Sequence, residues 1–320
     1  MAHRGRLNVL VNNLGKTYED IFREFADTIN PEAEVGTGDV KYHKGLSSRF
    51  KLQDGREITV NLANNPSHLE AVNPVVEGMA RARLDIIGAQ DFHKVLPVLI
   101  HGDAAFAGQG VVTEVLNMSQ LDGYRTGGTV HIVINNQIGY TTLPEDARST
   151  RYSTDNAKGI MVPIFHVHGE DPEAVIHTVK LACDYRMAFS KDVVIDVICY
   201  RQYGHNEGDE PYFTQPLMYD RIRQRKSLDL AYADTLMEDG VLEKEAVEKI
   251  AGGIETCLEN ALEKAKVVPA NSDHVNVLNE TSKESMTQID CATAVTEDTF
   301  LNPAKKFPSS TERFHPHSKI

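Results

Sequence analysis

Two short stretches carry residue types able to hold a divalent ion. The first is His101-Gly102-Asp103-Ala104-Ala105-Phe106-Ala107-Gly108-Gln109-Gly110, which follows an apolar run and opens a helical pattern. The second is Asn135-Asn136-Gln137-Ile138-Gly139, at the end of another apolar run. In open parallel sheets, ligands gather outside the carboxyl ends of the strands. Asp103 would offer a hard carboxylate oxygen there, and Gly108 and Gly110 would let backbone amides approach a phosphate at a helix start. The chain between Asp103 and Asn136 is long enough for one strand–helix–strand unit. Neighbouring parallel strands would then bring both side chains to one sheet edge. A carboxylate, an amide oxygen and a backbone carbonyl suit Mg2+, which takes oxygen donors and shares them with diphosphate oxygens. Taken singly, an Asp after a strand is usually a cap, and Asn-Asn before Gly is often a turn. The pairing of the two stretches is the specific signal.

The elements that must position them follow from hydrophobic patterning. Residues 58–62, 95–101, 129–135, 162–168 and 193–200 form short, β-branched, nearly continuous apolar runs. Such runs read as parallel strands covered on both faces. Helical spacing covers 18–29, 68–85, 111–121, 172–189, 217–239 and 243–266, and Asp171-Pro172 supplies an N-cap and a first-turn proline. Strands alternating with helices predict a three-layer α/β/α, doubly wound, mainly parallel sheet. Residues 1–266 are assigned to this domain. Residues 267–320, rich in Ser, Thr, Asn, Glu and Lys, are assigned to a linker-like, partly irregular tail.

The words around these stretches carry a resemblance. Gly-Asp followed by Asn-Asn looks like the cofactor motif of thiamine-diphosphate enzymes. AHRGRL, GDVKYH, NPSHLEAVNPVV, HGDAAFAGQG, GGTVHIVINNQIGYTT, DARST, IFHV, DPEAV, DVVIDVICYRQYGHNEGDEP and TQPLMY together resemble the E1 component of the 2-oxoglutarate dehydrogenase complex, from residue 2 to about 225. The resemblance implies thiamine diphosphate and Mg2+ as cofactors. Asp103 and Asn136 would hold the metal through side chains and Ile138 through its carbonyl, with Ala104 and Ala105 along the cofactor. Arg4 would reach the diphosphate or the substrate carboxylate. His3, His43, His68 and His205 would face the reaction chamber, with Ser67 and Leu69 beside His68 against the cofactor. The implied partners are a 2-oxo acid and a lipoyl-bearing E2 succinyltransferase, and the full-length enzyme would be a homodimer. The implied compartment is the bacterial cytoplasm or the mitochondrial matrix. Such enzymes need a second α/β module carrying the glutamate that activates the cofactor. No such module is read after residue 266, so the chain alone is expected to be inactive.

Other classes fit less well. A net charge of -13 argues against a general nucleic-acid binder, which neutralises phosphates with Lys and Arg. Cys183, Cys199, Cys257 and Cys291 form no C-x-x-C pair, so neither a zinc site nor a disulfide framework is expected, and a reducing compartment fits them. No apolar stretch is long enough to span a membrane. His166 and His168 share a strand face, but no third metal ligand is evident. Asp209 and its acidic neighbours read as a solvated loop. A phosphate-binding module would need a G-x-x-x-x-G-K-[ST] or G-x-G-x-x-G word, and neither occurs. A non-catalytic interaction module stays open, as do a 2-oxoadipate enzyme and a stand-alone 2-oxoglutarate decarboxylase.

Overall fold

The structure, a computed structural model, describes residues 3–25, 41–88, 91–206, 208–267 and 296; the side chains of 3, 4 and 267 lie outside it. Contacts divide the chain into two units, and every element below belongs to the one spanning Met1–His274. The tail expected over 267–320 lies, but for its first residue and Thr296, outside the described residues.

Helix α1 (His3–Asn8) runs on as a π-type turn to Asn13, and α2 (Tyr18–Phe25) follows. Strands β1 (Leu46–Lys51) and β2 (Glu57–Leu62) form an antiparallel pair around a turn in which Gly55 has φ +83°. This corrects the expectation for 58–62, which is no part of the parallel sheet. The reason is in its pattern: Ile58, Val60 and Leu62 alternate with Thr59 and Asn61, the signature of a one-sided strand. Helix α3 (Asn73–Ile86) carries Pro74 in its first turn. It starts later than the apolar spacing from residue 68 suggests, because Glu70 sits at φ +71° and breaks helical continuity.

The main sheet then assembles. Strand β3 (Val98–Gly102) leads through α4 (Asp103–Gly108) and α5 (Gly110–Met118) to β4 (Val130–Asn135). The short α6 (Pro144–Ala147) precedes β5 (Ile164–His168). Helix α7 (Pro172–Phe189) returns to β6 (Val193–Ile198). The order is β3-β4-β6-β5, with every neighbouring pair parallel. Asp171 caps α7 by accepting from the Ala174 amide at 2.9 Å, with Pro172 in the first turn, as expected. The single helix expected over 217–239 is two, α8 (Pro216–Arg223) and α9 (Leu228–Glu238), because Ser227 takes extended backbone at the N-cap of α9. Helix α10 (Lys244–Val267) ends the described chain but for Thr296. No described helix is long and apolar enough to cross a membrane.

Each face of the sheet has its own core. Phe106, Val112, Leu116, Val133, Ala157, Val162 and Val194 pack on the α4–α5 side. Val130, Val167, Ala182, Val193, Ile195 and Val197 pack on the α7 side. This makes three layers. Val193, Val194 and Ile195 are fully buried, and each such side chain contributes about 1.5–3 kcal/mol through burial. The α4–α5 face also carries polar groups. Register aligns His101, Val133, Asp196 and His166 in one row across the four strands.

Candidate functional site

Asp103 is the first residue of α4, directly after β3, and is 2% exposed. Gly102 pairs with Ile134, so Asp103 stands beside the end of β4. The loop leaving β4 is shaped by its own asparagines. Asn135 Oδ1 accepts from the Gln137 amide at 3.3 Å, and Asn136 Oδ1 from the Ile138 amide at 3.2 Å. Gln137 and Tyr140 lie at φ +62° and +56°. A Cβ on Gly139 would come within 2.8 Å of the Ala104 side chain, so this loop touches the first turn of α4, and only glycine permits that approach. Asp103, Ala104, Ala105, Asn136 and Ile138 thus gather at one sheet edge.

The charge at this edge is unusual. Burial holds the Asp103 carboxyl above the ordinary Asp range, although the Arg148 guanidinium and amides at the start of α4 pull it down. Arg148 Nη1 lies 3.6 Å from Asp103 Oδ2, and its Nε is buried without a hydrogen-bond partner. Beneath, Asp196 is fully buried. It accepts from Asn135 Nδ2 at 3.0 Å and meets His166 Nδ1 at 2.8 Å. Burial, with Asp103 and Asp196 nearby, pushes the Cys199 thiol up to about 12, so it is no nucleophile at neutral pH. Among the described residues no group of three or more His, Cys, Asp or Glu is placed to hold a metal; His166 instead serves Asp196.

His205 joins the edge from the segment after β6. Its ring meets Tyr140 edge-on at 4.6 Å, and its amide donates to Asp209 Oδ2 at 2.7 Å. A Cβ on Gly204 would overlap the Asp209 carbonyl, so the turn closes only on glycine. Arg201 reinforces it by donating to the Tyr140 carbonyl at 3.1 Å and to the Tyr219 hydroxyl at 3.0 Å. Asp209 is therefore a half-buried pin rather than a solvated loop residue, because the His205 amide needs an acceptor. Glu207 lies outside the described residues.

The other predicted residues form a second group. The side chains of His3 and Arg4 lie outside the described ones, but their helix α1 packs on the turn Lys41–His43. Arg6, 1% exposed, donates to the Lys44 carbonyl at 2.8 Å and to the Ala63 carbonyl. The Asn65 amide donates to the His43 carbonyl at 3.1 Å. Arg6, in the AHRGRL word, thus ties α1 to the residue just after GDVKYH and to the approach to NPSHLE. Ser67, His68 and Leu69 are exposed, between buried Asn65 and buried Glu70. The described contacts do not bring His43 or His68 onto Asp103 directly. The link runs through Glu70, whose Oε2 lies 2.6 Å from His101 Nδ1. Sequence reading did not single out Arg6, Glu70 or Arg148. Their signal is position: each lies inside a matching word, Glu70 directly after Leu69, Arg6 two residues after Arg4, and Arg148 in DARST.

The model of the dehydrogenase E1 component family matches residues 1–272. The chain is 54% identical over 261 residues to the 2-oxoglutarate dehydrogenase E1 component of Azotobacter vinelandii, covering 81% of this chain and 27% of that one. It is 49% identical over 289 residues to the protein of that name from Bacillus pumilus, covering 86% and 30%. It is 50% identical over 282 residues to the multifunctional 2-oxoglutarate metabolism enzyme of Mycolicibacterium vanbaalenii, covering 85% and 23%. The chain therefore spans less than a third of the length of these curated relatives.

Proposed function

The chain belongs to the dehydrogenase E1 component family, and from that premise we propose that it is the diphosphate-binding part of an enzyme that decarboxylates 2-oxoglutarate. The observation that carries the reading is the meeting of Asp103 with the Asn136–Ile138 loop at one sheet edge. The donors fit the cofactor. Carboxylate, amide and carbonyl oxygens suit Mg2+, and the orphaned Nε of Arg148 leaves a cationic donor beside them. Thiamine diphosphate bound there would supply the carbon nucleophile and electron sink on which a 2-oxo acid loses carbon dioxide.

The chain's own residues bind and orient. Asp103, Asn136 and the Ile138 carbonyl hold Mg2+, and Ala104, Ala105, Ser67 and Leu69 lie along the cofactor. Arg4 meets the diphosphate or a substrate carboxylate, since a guanidinium matches either with paired donors. His3, His43, His68 and His205 hold or move protons at the reacting oxygens. In a full-length homodimer, the lipoyl disulfide of an E2 partner would take up the succinyl group on one sulfur and the two electrons of the oxidation, its S–S bond breaking to leave the other sulfur as a thiol. A second reading is a stand-alone 2-oxoglutarate decarboxylase, in which no lipoyl acceptor is demanded; measuring turnover with and without that acceptor separates the two. A 2-oxoadipate enzyme differs by one methylene, about 1–3 kcal/mol of discrimination, and competition between the two acids decides it.

Calorimetry on the full-length enzyme tests the core of the reading. Asp103→Ala should weaken Mg2+-dependent binding of thiamine diphosphate by more than the roughly 10–100-fold typical of outer-shell changes. Wild-type affinity in this variant would remove Asp103 from the site. The chain by itself is proposed to be inactive, and succinyl product formed by the purified chain at full-length rates would refute that.

A further inference from the structure

We propose that Glu70 is a positioning residue that sets the Ser67–Leu69 segment against the strand end bearing Asp103; the assignment rests on the function proposed above. Glu70 is buried, while the three residues before it are exposed. That segment is held from its two ends, by Asn65 and by Glu70. Glu70 sits at φ +71°, a region that side chains other than Gly, Asn and Asp rarely adopt. A turn alone would be better served by glycine. Strained backbone of this kind persists where the surroundings over-determine it, and here the side chain does so. Its Oε2 accepts from Asn73 Nδ2 at 2.7 Å and meets His101 Nδ1 at 2.6 Å.

The anchor continues into the sheet. His101 Nε2 lies 3.1 Å from His131 Nδ1, and His131 Nε2 lies 3.2 Å from Asp192 Oδ2. Asp192 Oδ1 accepts from the Thr129 amide at 2.9 Å. The four side chains are all buried. The contacts share their protons: the proton placement on the His101 ring is tied to that on the His131 ring, with a carboxylate accepting at each end. A displacement of Glu70 is therefore resisted by β3, by β4 and by the residue leading into β6 together. His101 stands on β3, two residues before Asp103 at the start of α4, so one contact fixes both the segment and the strand end. Hydrogen-bonded side-chain networks of this kind specify a single arrangement.

The test uses the full-length enzyme and three variants, with melting temperature, thiamine diphosphate affinity in Mg2+ by calorimetry, and kcat and KM for 2-oxoglutarate. Glu70→Gln keeps the length and can accept from His101, so it should stay close to wild type in every measure. Glu70→Asp keeps the charge and suits positive φ but falls one methylene short, and Glu70→Ala removes the anchor. Both should stay folded yet lose about tenfold or more in cofactor affinity or kcat, as outer-shell changes do. Wild-type affinity and kcat in a folded Asp or Ala variant would overturn the proposal. So would a Gln variant as impaired as Ala, which would show that charge rather than placement matters, or loss of folding in all three. If Ala alone fails to fold, the Asp variant decides. Wild-type enzyme that binds no cofactor would instead overturn the function proposed above, and the two failures stay distinct.

Discussion

Asp103 and Cys199 show how one buried patch sets the chemistry of each residue in it. Low exposure disfavours both ionised forms. For Asp103, Arg148 offsets part of that cost, and a divalent ion would offset more. For Cys199 the two acidic neighbours, Asp103 and Asp196, add to the effect of burial. The thiolate is the reactive form. With the thiol pushed up to about 12, thiolate at pH 8 is on the order of one part in ten thousand. Cys257 is exposed on α10. Iodoacetamide at pH 8 should therefore label Cys257 and leave Cys199 intact in the folded protein, as peptide mapping by mass spectrometry would show. Rapid labelling of Cys199 would mean that its surroundings are wetter or less acidic than described.

Helix α7 matters to the site as the backing of the sheet, and one residue fastens it. Arg186 is fully buried and donates to the carbonyls of Gly128 at 3.0 Å, Phe92 at 3.0 Å, Val95 at 2.8 Å and Thr126 at 3.3 Å. It locks the segments entering β3 and β4 to the helix. Arg186→Leu leaves those acceptors without their donor, a loss expected at about 3 kcal/mol or more. A denaturant midpoint unchanged from wild type would contradict this. The same element shows what the sequence makes legible. Asp171 and Pro172 act within one turn, so the start of α7 can be read from neighbours alone. Asp103 and Asn136 can be paired because they end consecutive strands. Arg186 cannot be read this way, since its partners lie far off in the chain and its burial is a tertiary outcome. Glu70 is hidden for another reason. Leu69 and Val72 keep helical spacing across it, and spacing is blind to a left-handed φ.

The whole chain is acidic, with a net charge of -13, and its carboxylates do not all respond alike to pH. Glu77 on α3 is half-buried and accepts from the hydroxyls of Thr126 at 2.8 Å and Thr129 at 2.7 Å. Burial raises its pKa above the ordinary 4.5 despite those hydrogen bonds, and Asp192 adds to the rise. A folded-state pKa above the unfolded one means that the native state holds the proton more tightly. Its contribution is then fully present below about pH 4.5 and is lost as pH rises through the folded value, at about 1.4 kcal/mol per unit of displacement. Glu77→Gln removes this titration while keeping an oxygen and an amide for the two threonines. The general repulsion of an acidic chain is nearly the same in both proteins and largely cancels in their difference. The melting temperature of Glu77→Gln relative to wild type should therefore climb as pH goes from 4 to 7. A difference that stays flat, or falls, over that range would show that Glu77 is ionised without penalty where it sits.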